Sequence, residues 1–253
     1  MMKVQYCSDL HIEFPDNKIL LREKPIVPVG EILLLAGDIV LFSELDKHKD
    51  FFKYLSDNFR QTYWVPGNHE YYQSDLALKS GSFCENILPN VTLANNTVIE
   101  ESSFSLIMST LWSKIGDRNH GMVEYNMNDF RIIRYNGWKL SATIFNEVHQ
   151  SCLDFITKQL KNLKNAKTIV LTHHIPTYLN YPERFKNDIL NDAFVVELFD
   201  LISESGPDFW IYGHHHQNIP EFKIVKTILI NNQLGYVKYG ENEQFRRDAV
   251  FEI

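Results

Sequence analysis

Ile32-Leu33-Leu34-Leu35-Ala36-Gly37-Asp38 sets five consecutive apolar residues directly before a glycine and a carboxylate. A strand that is apolar at every position has no face to offer water, so it must be covered on both sides. That points to a layered α/β fold, with Gly37-Asp38 at the strand's carboxyl end, where ligand sites of open α/β sheets gather. The pattern recurs on either side of this run. Val4 to Ser8, Thr62 to Val65, Phe104 to Ser109, Thr168 to Leu171 and Phe209 to Tyr212 also read as strands.

Helical patterns lie between some of these runs. Ser141 is a good N-cap for Ile144, Phe145, Val148, Cys152, Phe155, Ile156 and Leu160, which follow at helical spacing. Cys152 therefore reads as core. A second helix is predicted over 192–205, ending at Gly206-Pro207. The stretch from Glu221 to Ile253 reads as strand-rich, with turns at Gly235 and Gly240. Strands alternating with helices predict a layered α/β/β/α sandwich of two mixed β-sheets flanked by helices, with residues 1–253 forming a single domain. Residues 113–138 break the pattern. They are polar and rich in Asn and Gly, and read as an irregular insert that caps the site.

With 253 residues, 44% of them hydrophobic and 23% charged, the chain has the composition of a globular protein able to bury a large core. Its net charge of −7 argues against nucleic acid as a partner. Lys158, Lys161, Lys164 and Lys167 read as the solvated face of a helix. The three cysteines, Cys7, Cys84 and Cys152, make no disulfide framework or metal-binding pair. No apolar run is long enough for a membrane span, and the start lacks the apolar stretch of a signal peptide, so a cytoplasmic protein is expected.

The chemistry is concentrated in five short elements, each following a predicted strand: Asp9-Leu10-His11, Gly37-Asp38, Gly67-Asn68-His69-Glu70, His173-His174 and Gly213-His214-His215-His216. Carboxylates, imidazoles and an amide, with no thiolate, suit first-row divalent metals. Asp9 with His11 and His214 with His216 are i, i+2 pairs; on extended backbone each pair points one way, with His215 pointing away. Gly37, Gly67 and Gly213 are expected to supply unusual backbone angles at the turns. A single Gly-Asp or His-x-His is weak; the weight lies in five ordered elements, each at a strand end.

This order resembles the calcineurin-like metallophosphoesterase superfamily, whose pattern runs Asp-x-His, Gly-Asp, Gly-Asn-His-Asp/Glu, His and Gly-His-x-His. The resemblance extends from Asp9 to His216. It implies a binuclear metal-dependent phosphoric ester hydrolase in which Asp9, His11 and His216 bind one ion, Asn68, His173 and His214 bind the other, and Asp38 bridges them. The two divalent ions would be drawn from manganese, iron, zinc, cobalt and nickel. The expected reaction is hydrolysis of a small phosphate mono- or diester, a nucleotide among the candidates, by attack of a metal-bridging hydroxide. His69 would stand near the substrate without binding metal, as the candidate proton donor to the leaving group.

Protein phosphatases of this superfamily extend the second element to Gly-Asp-x-Val-Asp-Arg-Gly. Here it reads Gly37-Asp38-Ile39-Val40-Leu41-Phe42-Ser43, without the aspartate that would orient His69 or the arginine that would grip phosphate. Asp129, Arg131 and His174 are the candidates for substrate contact. The competing functions are a nuclease, disfavoured by the acidity, and a catalytically silent interaction module, disfavoured by the intact ligands.

Overall fold

A computed structural model of the protein describes residues 1–162 and 167–253. In chain order the strands are β1 (Lys3–Cys7), β2 (Ile32–Ala36), β3 (Gln61–Val65), β4 (Phe83–Leu88), β5 (Val91–Asn95), β6 (Thr97–Glu100), β7 (Ser105–Ser109), β8 (Arg134–Tyr135), β9 (Trp138–Lys139), β10 (Thr168–Thr172), β11 (Phe209–Ile211), β12 (Phe222–Ile224), β13 (Thr227–Ile230) and β14 (Val250–Glu252). The α-helices are α1 (Pro15–Glu23), α2 (Lys49–Asn58), α3 (His120–Asn126), α4 (Asp129–Ile132), α5 (Ala142–Leu160) and α6 (Phe199–Ser205).

Two six-stranded sheets form the centre, ordered β14-β1-β2-β3-β5-β4 and β12-β13-β11-β10-β7-β6. In each, four parallel strands lie inside and an antiparallel strand closes either edge. The sheets pack face to face through Val4, Ile32, Leu34, Val65, Leu106, Met108, Ile169 and Leu171. The opposite face of the first sheet buries Leu33, Leu35 and Trp64 against Phe52 and Leu55 of α2 and Leu21 of α1. That of the second buries Ile107, Val170 and Trp210 against Ile156 of α5 and Ile202 of α6. This is the expected layered α/β/β/α sandwich, and every residue of β2 is buried, as its unbroken apolar sequence requires.

The capping prediction for α5 holds: Ser141 Oγ accepts from the Ile144 backbone N–H, and Cys152 is fully buried. Three other expectations need correction. The helix read over 192–205 forms only at 199–205, ending at Gly206 in the left-handed conformation (φ 55°). Upstream, the chain is drawn away to pair Val195 with Ile175, and Ala193 O accepts from His214 Nε2. The insert at 113–138 is not irregular: it contains α3, α4 and the β8–β9 hairpin, because Val123, Phe130 and Ile133 share a core with Trp112, Phe145 and Val148. The tail is strand-rich only at its ends, since 237–244 fold as two 3-10 turns around Gly240 (φ 73°). Of the lysine series, Lys158 lies exposed on α5, Lys167 lies beyond it, paired with Asp208 at 2.9 Å, and Lys164 falls outside the described residues.

Candidate metal centre

The five elements sit at the carboxyl ends of β1, β2, β3, β10 and β11, and backbone hydrogen bonds tie them together. Asp9 N–H donates to Gly37 O, His11 N–H to Asp38 O, Gly213 N–H to His173 O and Gly235 N–H to Asp9 O. Glu70 holds the second and third elements, accepting from the N–H groups of Asp38, Ile39 and Gly67 and from Trp64 Nε1. Burial and the Asp38 charge push Glu70 up to about 8, against those donors, which favour its carboxylate form.

The ligand pairs do not converge by the extended-strand geometry read from the sequence. Asp9 (φ 54°), His11 (45°), Asp38 (55°), His214 (87°) and His216 (53°) all lie at positive φ, so five of the seven predicted ligands occupy backbone that non-glycine residues rarely adopt. The glycines meet the expectation only in part, Gly67 and Gly213 not being at positive φ. Gly37 does take positive φ (86°), but Gly67 is required for space: a Cβ there would lie 2.1 Å from Asp38 Oδ1.

The seven side chains gather into two clusters that share Asp38. In the first, His11 Nε2 lies 3.0 Å from His216 Nε2 and 3.7 Å from Asp38 Oδ2, and His216 Nε2 lies 3.3 Å from Asp9 Oδ1. In the second, His173 Nε2 lies 3.1 Å from Asn68 Oδ1, 3.0 Å from His214 Nδ1 and 3.4 Å from Asp38 Oδ1. The outward nitrogens reveal what each cluster needs. His11 Nδ1 faces Glu13 Oε1 at 3.2 Å, and His216 Nδ1 faces Glu241 Oε2 at 2.7 Å. His173 Nδ1 faces Ala36 O at 2.8 Å, and His214 Nε2 faces Ala193 O at 3.2 Å. Each of those partners only accepts, so the protons sit on the outward nitrogens and the lone pairs point inward. The Asn68 amide is oriented in the same sense: its Nδ2 donates to Asp129 Oδ1 at 2.8 Å, leaving Oδ1 for the cluster. Inward lone pairs 3.0–3.1 Å apart require positive charge between them, either protons or metal ions. The residues therefore fit two divalent cations bound through nitrogen and oxygen.

Without metal, protons must meet that need. Burial alone would raise both aspartates, but His216 outweighs it at Asp9 and His173 at Asp38, holding Asp9 below and Asp38 well below the usual range. Burial would lower His173 and His216. Asp38 instead brings His173 up to about 9, and Asp9 and Glu241 bring His216 up to about 10. Burial keeps His214 well below its usual value, hence neutral.

Both clusters open onto a cavity of about 400 Å³. His69 lines it, stacked on Tyr72 (centroids 4.1 Å), with Nε2 3.2 Å from Tyr236 Oη and Nδ1 3.2 Å from Glu13 Oε1. The walls come from Asn126, Met127 and Asn128 of the 113–138 segment and from Tyr181, Phe185 and Phe194, with Arg184 exposed at the rim. His215 also lines the cavity, stacked on Tyr181, with Nδ1 near Gln233.

The three candidate substrate residues lie elsewhere. Asp129 is buried behind Asn68. Arg131 is exposed, its guanidinium bonded to Tyr125 O and lying over the Tyr125 ring. His174 is buried behind the second cluster, 4.3 Å from the His214 ring and 5.2 Å from Trp112 (ring centroids). Sequence reading missed Glu13, Tyr236, Glu241 and Arg184. Only Glu13 carried a signal, standing two residues beyond His11 as His11 stands two beyond Asp9.

An αββα sandwich with two carboxylate-linked imidazole clusters at its strand ends defines a binuclear-metal phosphoric ester hydrolase. Residues 2–218 match the calcineurin-like phosphoesterase family, and the chain belongs to it. It is 31% identical, over all of its own length and 97% of the other's, to the uncharacterized protein L509 of Acanthamoeba polyphaga mimivirus. It is 24% identical to a 3',5'-cyclic-nucleotide phosphodiesterase from Nostoc sp., over 79% of this chain and 60% of that one. Among solved structures it is similar in fold to the phosphopantetheinyl hydrolase of Mycobacterium tuberculosis, with a TM-score of 0.72, 14% identity and coverage of 98% and 95% of the two chains. A dimetal phosphatase from Danio rerio follows at TM-score 0.50, 14% identity and coverage of 92% and 87%.

Proposed function

We propose that this chain hydrolyses a small phosphate mono- or diester, a nucleotide among the candidates, at the two clusters joined by Asp38. The observation that carries the reading is that both clusters and His69 face one cavity of about 400 Å³, a volume suited to a small molecule. Asp9, His11, His216 and Asp38 would hold one ion, and Asn68, His173, His214 and Asp38 the other. Two such ions supply an ionised water near neutral pH and charge stabilisation for the phosphoryl oxygens. They bring four positive charges against the two of Asp9 and Asp38, so an anion is attracted despite the net charge of −7.

His69 has the position of the proton donor. Its Nε2 faces the cavity beside the Tyr236 hydroxyl, ready to protonate a leaving alkoxide. The 113–138 segment acts as a cap, and Asp129 acts through Asn68 rather than on substrate. Tyr181, Phe185 and Tyr236 offer aromatic surface to the leaving group, and Arg184 offers a cation to a second anionic group. The name of the cyclic-nucleotide phosphodiesterase agrees with a diester. A nuclease is disfavoured, because Arg184 is the only Lys or Arg lining the cavity among the described residues. Manganese, iron, zinc, cobalt and nickel all suit the donors. No described helix is long and apolar enough to cross a membrane, and with Cys7, Cys84 and Cys152 all free we place the protein in the cytoplasm.

The test is turnover by protein loaded with each of the five metals against p-nitrophenyl phosphate, bis-p-nitrophenyl phosphate and linear and cyclic nucleotides. Hydrolysis by the wild type and its loss by roughly 10²–10⁴-fold in His69→Ala, with both metals retained, is the expected result. Absence of turnover on every ester with two metals bound would refute the reading.

A further inference from the structure

The second sequence element lacks the aspartate that orients the equivalent histidine in protein phosphatases, yet His69 is held in place. We propose that Glu13 is the positioning residue for His69 and that its one carboxylate oxygen couples His69 to the metal ligand His11. The inference rests on the reading of His69 as the proton donor.

Glu13 Oε1 lies 3.2 Å from His69 Nδ1 and 3.2 Å from His11 Nδ1. The two rings meet edge to face with centroids 4.4 Å apart, and the Glu13 side chain is only 8% exposed. A carboxylate that accepts from both Nδ1–H groups fixes both tautomers at once. His11 must then aim Nε2 at the first cluster, and His69 must aim Nε2 at the cavity, where Tyr236 Oη meets it. These three side chains also place acceptor and imidazole atoms close enough for a third metal site. Hydrogen bonding explains the contact better, because an ion there would need His11 Nδ1 as a ligand while Nε2 of the same ring serves the first cluster.

The arrangement links two functions. With a metal held at Nε2, the His11 Nδ1–H would be a stronger donor to Glu13, and the same oxygen would stabilise the imidazolium form of His69 that a general acid requires. Loading the first cluster and holding a proton at His69 Nε2 thus draw on one carboxylate.

The experiment compares zinc-loaded wild type with Glu13→Gln, Glu13→Ala, His69→Ala and the double variant Glu13→Gln/His69→Ala. Glu13→Gln is expected to keep two zinc ions by elemental analysis and to lose roughly 10–100-fold in kcat on phenyl phosphate. The loss should shrink on p-nitrophenyl phosphate, whose leaving group needs no proton. Against His69→Ala the same substitution should cost less than about threefold, because it acts through His69. A loss equal on both esters, or undiminished in the His69→Ala background, overturns the proposal and leaves Glu13 as a support for His11 alone. A second readout needs no turnover: nitrogen-15 NMR of His69 in the zinc-loaded protein. The wild type should show a protonated, hydrogen-bonded Nδ1 in a ring that also carries a proton at Nε2 on the acid side of its titration, and Glu13→Ala should lose that Nδ1 hydrogen bond while His216 is unchanged. An unaltered His69 signal refutes the positioning role even if no ester is turned over, whereas that absence of turnover alone would refute only the functional reading.

Discussion

The two halves of the metal centre present the same inward donors but are braced in different ways. Around Asp9, His11 and His216 the outward imidazole nitrogens meet carboxylates: Glu13, whose side chain is only 8% exposed, and Glu241, which lines the cavity. Around Asn68, His173 and His214 they meet backbone carbonyls, Ala36 O and Ala193 O, and the His214 ring is stacked on Phe194 and lies 4.3 Å from the tilted His174 ring. A carboxylate partner makes an imidazole a more basic ligand and adds charge beside the ion, whereas a carbonyl partner adds rigidity without charge. The first half is thus electrostatically tuned, and the second is a fixed mount, although both face the cavity.

The largest effect should come from removing what the halves share. Asp38→Asn is expected to empty both clusters and abolish hydrolysis, read by metal analysis; two ions retained would show that neither half depends on the bridge. Substitutions on one side only should separate them. Glu241→Gln is expected to weaken only the ion at His216, and Asp129→Ala only the ion at Asn68, each by roughly 10–100-fold in affinity. Anomalous scattering at partial occupancy would show which ion leaves, and joint loss from either variant would collapse the distinction. The smallest effect concerns protons. In the metal-free protein His173 (about 9) and His216 (about 10) are protonated at pH 7, one in each half, and a metal needs their bare nitrogens. Loading at pH 7 should therefore release about one proton from each of these histidines, in addition to that of the ionised water, and affinity should rise with pH until those values are passed. Glu241→Gln should reduce the release from the first half only, measurable by calorimetry in buffers of different ionisation enthalpy.

The part of this centre written in strand sequences was legible. β1, β2, β3, β7, β10 and β11 could be read because each is short, carries apolar residues on both faces and is mostly buried. The ligands could be read because each directly follows such a strand or lies just beyond it. What was hidden depends on where loops return. Tyr236 and Glu241 reach the site from a turn, and nothing in their local pattern separates them from surface residues. The helix expected from Asp192 fails because Ala193 O serves His214, a demand that becomes visible only after folding. Asp129 was visible as polar and central to its segment, but its partner, Asn68, is 61 positions away. The aim of the ligands was hidden for another reason, since no residue type announces that Asp9 or His216 will sit at positive φ.

That backbone geometry bears on protein engineering. Each left-handed, non-glycine position costs about 1–2 kcal/mol relative to the ordinary helical region, so an isolated Ser8–His11 segment would relax out of its bend. Copying the five elements onto a foreign sheet would transfer the donor atoms without their direction. A successful graft would have to carry the neighbouring loops, with Glu70 and the Gly37 and Gly235 contacts, as one indivisible block.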